Sequence, residues 1–369
     1  MVDICQIFIE LAALPTPPGS ERAAADVVAN FLRDLGLTVD EDGAGASIGS
    51  DIGNLYCRLE PTADRGTPIF LCAHLDTVPP EGPIEPRVDD GIVHNAAGTI
   101  LGADNKSAVA VMLAAAERIV NDGRPHAGVE LLFTPKEEVG LQGAKAFDHT
   151  RLAAELGFVY DQAAPIGEIV LGAPTQRSLT VRFHGRAAHA GMYPEDGRSA
   201  VAAAARAIAD MRLGRIDEET STNVGLVQGG TARNIVPEWC TVEAEVRSHD
   251  ERKVDELVQE LLEACSFAAS VGEVEVEANI EEAYRAYRFR RSDAPVRLAA
   301  AALEQTGFEP SYALTGGGAD ANVFNERGLP CLNLANGMVD IHTPDERIAV
   351  EDLERMVDVT LALVDAALA

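Results

Sequence analysis

Four strand-length hydrophobic runs, separated by segments with helical periodicity, constrain the fold of this chain more than any other feature. The runs lie at 68–73, 129–133, 157–160 and 331–335 and are mostly apolar along their whole length. Strands of this kind are buried on both faces, as in parallel sheets that helices cover on both sides. The sequence therefore predicts an α/β domain with a mostly parallel sheet and helices on both faces.

Segments with helical spacing of apolar residues, together with shorter strand-like segments, surround these runs. Helices are predicted over 3–14, from Ser20 to Gly36, over 107–121 and 293–306, from Asp320 onwards and over 350–368. Further strands are predicted at 37–41, 53–59 and 311–315. Helices and strands alternate along the chain, which supports the α/β prediction.

The pattern changes at about residue 176, where the strands begin to alternate apolar and polar residues. The predicted elements there are strands at 178–185, 222–229, 239–247 and 273–281, and helices at 196–212 and 250–268. Their order along the chain, β-α-β-β-α-β, is the ferredoxin-like signature. We therefore expect one domain formed by 1–175 and 288–369, and an α+β domain inserted at 176–287.

The composition argues against polyanionic partners and favours a cytoplasmic location. Thirty basic against 59 acidic residues give a formal net charge of −29, which repels nucleic acids and anionic membranes. An acidic proteome would explain the same charge without reference to function. Six scattered cysteines and an N-terminus without signal-peptide features favour a reducing cytoplasm. No run reaches about 18 apolar residues, so no membrane segment is expected.

Acidic residues and histidines follow the predicted strands or occupy strand-to-helix turns. In a parallel α/β sheet the ligand crevice lies at the carboxyl ends of the strands, so such residues are expected to converge. The candidates are His74, Asp104, Glu137, Glu138 and Asp161, with His342 in the loop after the last strand.

Imidazole nitrogen and carboxylate oxygen are zinc ligands, and two zinc ions about 3.5–4 Å apart share a bridging carboxylate. The candidates supply such a set, with one aspartate as the bridge. Each residue also has a simpler explanation. His74 suits a satisfied core histidine, Asp104 a helix N-cap and Asp161 a strand cap, while Glu137 and Glu138 suit a solvated pair. All of these explanations would have to hold at once.

The adjacent carboxylates of Glu137 and Glu138 cannot point the same way in an extended or turning segment. One of them is therefore free to bind metal while the other faces water, the division that a hydrolase needs. Asp76, two residues after His74, is placed to orient that imidazole. A turn-capping role before Thr77 is an equal alternative for Asp76.

Nine short motifs, in order across nearly the whole chain, resemble one family. They are HLDTVP, LGADNKSAVA, FTPKEEVGLQGA, YD at 160–161, HAGMYPEDGRSA, RNIVPE, EVRSHD, GGGADANVF and IHTPDE. The family is that of the co-catalytic zinc exopeptidases and amidohydrolases, with peptidase T, carboxypeptidase G, succinyl-diaminopimelate desuccinylase and the aminoacylases. The form FTPKEEVGLQGAKAF is most similar to the peptidase T-like branch.

The resemblance implies a ligand set and a division of roles. It implies that 1–175 and 288–369 form a catalytic domain with two Zn²⁺ per subunit, Co²⁺ or Mn²⁺ being alternatives. One metal would be held by His74, Asp104 and Asp161. The other would be held by Asp104, Glu138 and His342, which makes Asp104 the bridge. Glu137 would be the general base, and Asp76 would steer His74.

The resemblance also implies that the inserted domain is a lid and the surface of a homodimer. His189 would polarise the scissile carbonyl, commonly from the partner subunit, and Asn234 and Arg247 would grip the substrate carboxylate. Gly317 would line the pocket. The chain departs from the family pattern at two positions: Ala319 stands where relatives often have Ser or Thr, and Asn105 where many have Asp.

These features predict a cytoplasmic di-zinc metallohydrolase that cleaves an amide bond of a small peptide, first of all a tripeptide-type aminopeptidase. An N-acyl-amino-acid amidohydrolase is the alternative within the family. A non-catalytic small-molecule-binding protein on the same fold, or an oligomerising protein that uses metal for stability, are alternatives from other classes. The spare carboxylate of Glu137, which coordination does not need, favours an enzyme.

Overall fold

The computed structural model describes residues 2–369 and divides into two compact units. The first unit contains the chain up to Gly172, Arg288–Leu314 and Ala319–Ala369. The second contains Ala173–Tyr287 and Thr315–Gly318. The second unit thus begins three residues before the expected boundary at 176, and it includes the whole glycine run at 316–318, which the sequence places in the other domain.

The described residues contain seventeen strands and ten α-helices. The strands are β1 Val39–Glu41, β2 Leu55–Leu59, β3 Ile69–His74, β4 Pro86–Asp89, β5 Ile92–Asn95, β6 Val129–Thr134, β7 Leu156–Gln162, β8 Glu168–Ala173, β9 Thr175–His184, β10 Gly214–Asp217, β11 Thr220–Gly229, β12 Trp239–Ser248, β13 Glu275–Tyr284, β14 Tyr287–Arg288, β15 Ser311–Leu314, β16 Cys331–Ala335 and β17 Arg347–Ala349. The helices are α1 Ile4–Ala12, α2 Arg22–Asp34, α3 Ala44–Ile48, α4 Ala103–Asp122, α5 Gln142–Ala146, α6 Ala200–Asp210, α7 Glu251–Gly272, α8 Ala294–Gln305, α9 Asp320–Glu326 and α10 Val350–Leu368.

The largest sheet has the strand order β1-β2-β6-β3-β7-β16-β8-β14, and β15 pairs with β8. Its centre, β6-β3-β7-β16, is parallel, whereas β1-β2, β2-β6 and β16-β8 are antiparallel. Every residue of β3, β6 and β16 is buried, as the hydrophobic runs predict. The predicted mostly parallel α/β sheet is confirmed, with antiparallel strands towards its edges.

The long helix α4 explains how the parallel strands are covered. It packs against β3 and β7 and is itself flanked by α1 and α10. Its alanines are small enough to let the helix backbone approach the sheet closely, and nearly all of its residues are buried. Helical backbone angles are interrupted at Asp104 and Asn105, so the regular helix begins close to the predicted position, residue 107.

The second unit contains a five-stranded antiparallel sheet of order β10-β11-β12-β9-β13. Helices α6 and α7 pack on one face, against inward side chains such as Val181, Phe183 and Val242. On β12, Trp239 stacks on His184 with ring centroids 3.9 Å apart, and it is 47% exposed. The strand order β11-β12-β9-β13 is the ferredoxin-like one, and β10 is an edge strand that the sequence did not predict.

A third, small sheet of order β17-β5-β4 was also not predicted. Its strands are only three or four residues long and partly exposed, so they carry no clear hydrophobic alternation. Within residues 2–369, no helix is long and apolar enough to cross a membrane.

Candidate metal centre

Neighbouring parallel strands bring three of the candidate ligands together. Strand β3 lies between β6 and β7 and ends at His74. Strand β6 leads into Glu137 and Glu138, and Asp161 is near the end of β7. The carboxyl ends of parallel strands share one edge of the sheet, which is why residues far apart in the sequence meet there.

Asp104 lies between two imidazoles, one on each of its oxygens. Its Oδ1 is 3.2 Å from Nε2 of His74, and its Oδ2 is 3.2 Å from Nε2 of His342. A carboxylate with a nitrogen ligand beside each oxygen has the arrangement that a bridging ligand needs.

The remaining carboxylates surround these imidazoles. Oε1 of Glu138 is 3.0 Å from Nε2 of His342, and Oδ1 of Asp161 is 3.8 Å from Nε2 of His74. Oε2 of Glu137 is 4.0 Å from the same His74 nitrogen. Donor atoms of His74, Asp104 and Glu138, and those of His74, Glu137 and Asp161, form two sets whose members lie within 4.8 Å of one another.

Burial, crowding and hydrogen bonds raise the pKa values of three of these groups. Burial, reinforced by the charge of Asp104, raises the pKa of Asp161 to about 7. Burial also raises the pKa of Glu137 well above its usual value, although His74 opposes this. Hydrogen bonds to Asp104 and Glu138 raise the pKa of His342 to about 10. Without a metal ion, protons must therefore compensate the packed negative charge.

The donor set fits a divalent cation. Four carboxylates gather around two imidazoles in a mostly buried space, and their ion pairs are with those imidazoles. Nitrogen and oxygen donors of this kind suit Zn²⁺, Co²⁺ and Mn²⁺. A cation in the cluster would offset both the burial and the mutual repulsion that raise the carboxylate pKa values.

Asp76 connects the strand that bears His74 to the turn that bears both glutamates. Its Oδ1 accepts a hydrogen bond from the amide of Glu137 at 2.9 Å, and its Oδ2 accepts one from the amide of Glu138 at 3.1 Å. Nδ1 of His74 is 2.9 Å from the main-chain oxygen of Asp76 but 3.5 Å from Oδ1. The shorter contact to the imidazole is thus from the main chain, and the carboxylate mainly holds the glutamate turn.

Two buried carboxylates next to the site were not among the sequence candidates. Glu346, in the IHTPDE motif, accepts main-chain hydrogen bonds from the turn that leads to Asp104. Asp320, in GGGADANVF, accepts hydrogen bonds from Thr134 and Cys72. Both lie in motifs that carry the family resemblance, which was the available signal, but neither follows a strand.

The second unit contains four of the predicted site residues. His189 and Asn234 are exposed on adjacent loops, which are joined by a hydrogen bond from the Ala190 amide to the Asn234 carbonyl. The amides of Gly191 and Met192 donate to Nδ1 of His189 at 3.2 and 3.1 Å. A nitrogen that accepts hydrogen bonds carries no proton, so the neutral imidazole has its proton on Nε2.

Arg247 and the glycine run lie together within the second unit. The guanidinium of Arg247 bonds both carboxylate oxygens of Glu245 at 3.0 Å and is 3.3 Å from the carbonyl of Gly316. The amide of Gly317 donates to Thr315 at 3.3 Å. A β-carbon at Gly318 would come within 2.2 Å of the Tyr284 ring, which explains a glycine there.

The two departures from the family pattern have visible local consequences. Ala319 is buried, and its amide donates to the Asn322 side chain at 3.1 Å. Asn105 is also fully buried, and neither polar atom of its side chain has a hydrogen-bond partner. Neither Ala319 nor Asn105 is a proposed metal ligand, so both departures leave the proposed ligand set intact.

Comparisons with known proteins agree with this architecture. The profile of peptidase family M20/M25/M40 matches residues 70–366. The uncharacterized protein YqjE of Bacillus subtilis is 36% identical over 360 residues, which cover 98% of this chain and 97% of that protein.

Two solved structures are similar over almost their whole length. An aminopeptidase PepT from Bacillus cereus is 38% identical with a TM-score of 0.86, and the match covers 99% of this chain and 98% of that one. A tripeptidase from Staphylococcus aureus is 32% identical with a TM-score of 0.91, at 99% and 98% coverage. With the profile match, these similarities show that the chain is a metal-dependent hydrolase that belongs to peptidase family M20/M25/M40.

Proposed function

We propose that this protein is a di-zinc aminopeptidase that removes the N-terminal residue of small peptides, with tripeptides as its preferred substrates. The observation that carries the proposal is Asp104 between two imidazoles, with the spare carboxylate of Glu137 beside them. The similarity to an aminopeptidase PepT and to a tripeptidase, each over nearly the whole chain, supports this substrate class.

The ligands fall into two sets that share Asp104. His74 and Asp161 would complete one zinc site, and Glu138 and His342 the other. Two zinc ions, when bound, supply Lewis acidity and lower the pKa of water.

Glu137 would act as the general base. It would accept a proton from the attacking water and later deliver it to the leaving amine. Burial raises the pKa of Glu137, so its carboxylate is a stronger base than that of an exposed glutamate. Asp76 would keep this base in place, because it holds the amides of Glu137 and Glu138.

The second unit would bind and polarise the substrate. With Nδ1 occupied by two main-chain amides, His189 presents an Nε2–H donor, which a developing oxyanion requires. Asn234 and Arg247 would bind the substrate carboxylate, and Gly317 would contribute main chain to the pocket. We also infer that this unit is the lid and the surface of a cytoplasmic homodimer, with His189 supplied by the partner subunit.

A substrate panel with metal analysis tests the proposal. The zinc-loaded enzyme is assayed on dipeptides, tripeptides, N-acetylated tripeptides and N-acyl amino acids, beside the Glu137→Gln variant. We expect two zinc ions per subunit in both proteins, the highest kcat/KM on tripeptides with a free amine, and loss of hydrolysis in the variant by about 100-fold or more. A preference for N-acyl amino acids would instead indicate an amidohydrolase.

Two further outcomes test the chemistry and the dimer. A protein without bound metal, whose Glu137→Gln variant hydrolyses amides as fast as the wild type, would sink the metallopeptidase proposal. Light scattering gives the mass in solution. A monomer with full activity would contradict the role of a partner histidine.

A further inference from the structure

The carboxylate of Glu346 is buried against the turn that leads to Asp104. Its Oε2 accepts hydrogen bonds from the amides of Leu101 at 2.7 Å and Gly102 at 2.8 Å. Its Oε1 accepts one from the amide of Asp104 itself at 3.0 Å. The side chain is only 2% exposed, so these three amides have no water to replace the carboxylate.

Glu346 lies at the base of the loop that carries His342. An antiparallel bridge between Val339 and Arg347 closes this loop. Inside it, Asp340 and His342 both have positive φ angles, 55° and 62°, which non-glycine residues adopt only where their surroundings hold them. The position of His342 therefore depends on how firmly the base of its loop is held.

The Glu346 carboxylate thus holds together two ligand-bearing segments. Asp104 and Glu346 are 242 residues apart in the sequence. Hydrogen bonds from amides to an ionised carboxylate are about twice as strong as neutral ones. Because the Asp104 amide belongs to the ligand residue, its hydrogen bond also limits how that residue can turn between the two imidazoles.

We propose that Glu346 is a positioning residue of the metal centre, which holds Asp104 and the His342 loop in register so that both can bind the same ion. This inference rests on the proposed di-metal function. It assigns Glu346 no contact with substrate or metal.

A purely structural role is the competing explanation, and the chain provides a matched control. Glu130, on β6, is also buried, at 1% exposure. It too accepts three hydrogen bonds, from the Tyr56 hydroxyl and the amides of Ala153 and Ala154. None of these groups carries a proposed ligand, so Glu130→Gln should reproduce the loss of a buried carboxylate without the loss of positioning.

The test compares Glu346→Gln, Glu346→Asp and Glu130→Gln with the wild type. Glutamine keeps the shape of glutamate but has only one side-chain oxygen. At least one of the three main-chain amides would then face the NH2 group of glutamine, which is also a donor. Zinc affinity is measured by competition with a chromogenic chelator, and thermal unfolding is measured with and without zinc. Hydrogen exchange at Leu101, Gly102 and Asp104 is followed in the metal-free proteins.

We expect Glu346→Gln to bind zinc about 10–100-fold more weakly and to lose protection at those amides. Glu130→Gln should stay within about threefold of the wild-type zinc affinity even if its melting temperature falls. Glu346→Asp, which keeps the charge one methylene further away, should show an intermediate loss, and it carries the test if the glutamine variant does not fold.

Two results would overturn the inference while leaving the proposed function intact: wild-type zinc affinity in both Glu346 variants, or an equal loss of affinity in Glu130→Gln. A wild-type protein that binds no zinc would instead defeat the proposed function, so the two failures are distinguishable.

Discussion

Most of the proposed site residues of the first unit are buried, whereas two of those in the second unit are exposed. In the first unit, His74, Asp104 and Glu137 are 2%, 5% and 8% exposed and lie in a network of short polar contacts. In the second, His189 and Asn234 lie on exposed loops, where the His189 ring and the Asn234 carbonyl accept hydrogen bonds from nearby main-chain amides. Burial strengthens the attraction of carboxylates for a cation, whereas exposure leaves donors free for a ligand that comes and goes.

Under the proposed function, this difference would separate metal binding from substrate binding. Variants of the proposed metal ligands should change the metal content, and variants of His189, Asn234 and Arg247 should change kinetics at constant metal content. Any variant that breaks this rule would show that the two functions are not divided between the units.

The largest effect is expected for Asp104→Asn. Asparagine has one oxygen and no charge, so it cannot attract two cations or satisfy both imidazoles. We expect less than two zinc ions per subunit and a loss of kcat/KM of about 1,000-fold or more. Metal analysis and peptide hydrolysis measure both. Full zinc occupancy would show that Asp104 is not the bridge.

The second prediction concerns the proton on Nε2 of His189. Glutamine places its amide nitrogen close to the position of Nε2, whereas asparagine places it close to Nδ1. His189→Asn should therefore lose about 100-fold or more in kcat, and His189→Gln should lose less, both with two zinc ions bound. Asparagine equal to or better than glutamine would contradict donation from Nε2.

A smaller effect is expected for Asp76→Asn, because one of the two glutamate amides loses its acceptor. Activity should fall about 10–100-fold. Glu130→Gln is the matched control, since Glu130 also accepts from two consecutive amides, those of Ala153 and Ala154, with one on each oxygen. Equal losses in both variants would mean that Asp76 only stabilises the fold.

The smallest effect is a pH dependence of stability, to which the titratable groups of the metal centre should contribute. The folded-state pKa values of Asp161 and His342, about 7 and about 10, both exceed their unfolded values, about 4 and about 6.5. A raised pKa favours folding at low pH, and this contribution is lost as the pH rises through the folded value. The melting temperature of metal-free protein should therefore fall most clearly between about pH 5 and about pH 7, because above pH 7 Lys106, whose pKa burial lowers to about 7, contributes in the direction opposite to His342.

Zinc should oppose this loss, because it takes the place of the protons. We expect the zinc-loaded protein to melt roughly 5 °C or more above the metal-free protein, with the gap increasing with pH. Differential scanning calorimetry at constant free zinc, beside the metal-free protein, measures this difference in melting temperature. A gap that narrows as the pH rises would contradict the assignment of these residues as ligands.

The parts of the fold and site that the sequence predicted are those that local pattern encodes. The buried strands are recognisable in the sequence as apolar runs, and the positions of His74 and Asp161 could be predicted from where β3 and β7 end. Parallel pairing then explains their convergence. The small sheet of β4, β5 and β17 was missed because its strands are too short and exposed to show a periodicity.

The hydrogen bonds of Asp76 and Glu346 could not be predicted from local sequence pattern. Asp76 bonds to amides 61 and 62 residues away, and Glu346 to amides more than 240 residues away. Main-chain acceptors of this kind leave no trace in periodicity or composition, because any residue type can donate the amide. Only the folded backbone shows which turn a buried carboxylate holds.

The stack of Trp239 on His184 gives the chain a built-in optical probe. The sequence contains one tryptophan, and it lies in the second unit. Excitation of that indole therefore reports on the inserted unit alone, without labelling and without a background from the zinc-binding residues. Titration of the inactive Glu137→Gln variant with peptide, followed by tryptophan emission, would separate events in the inserted unit from those at the metal centre.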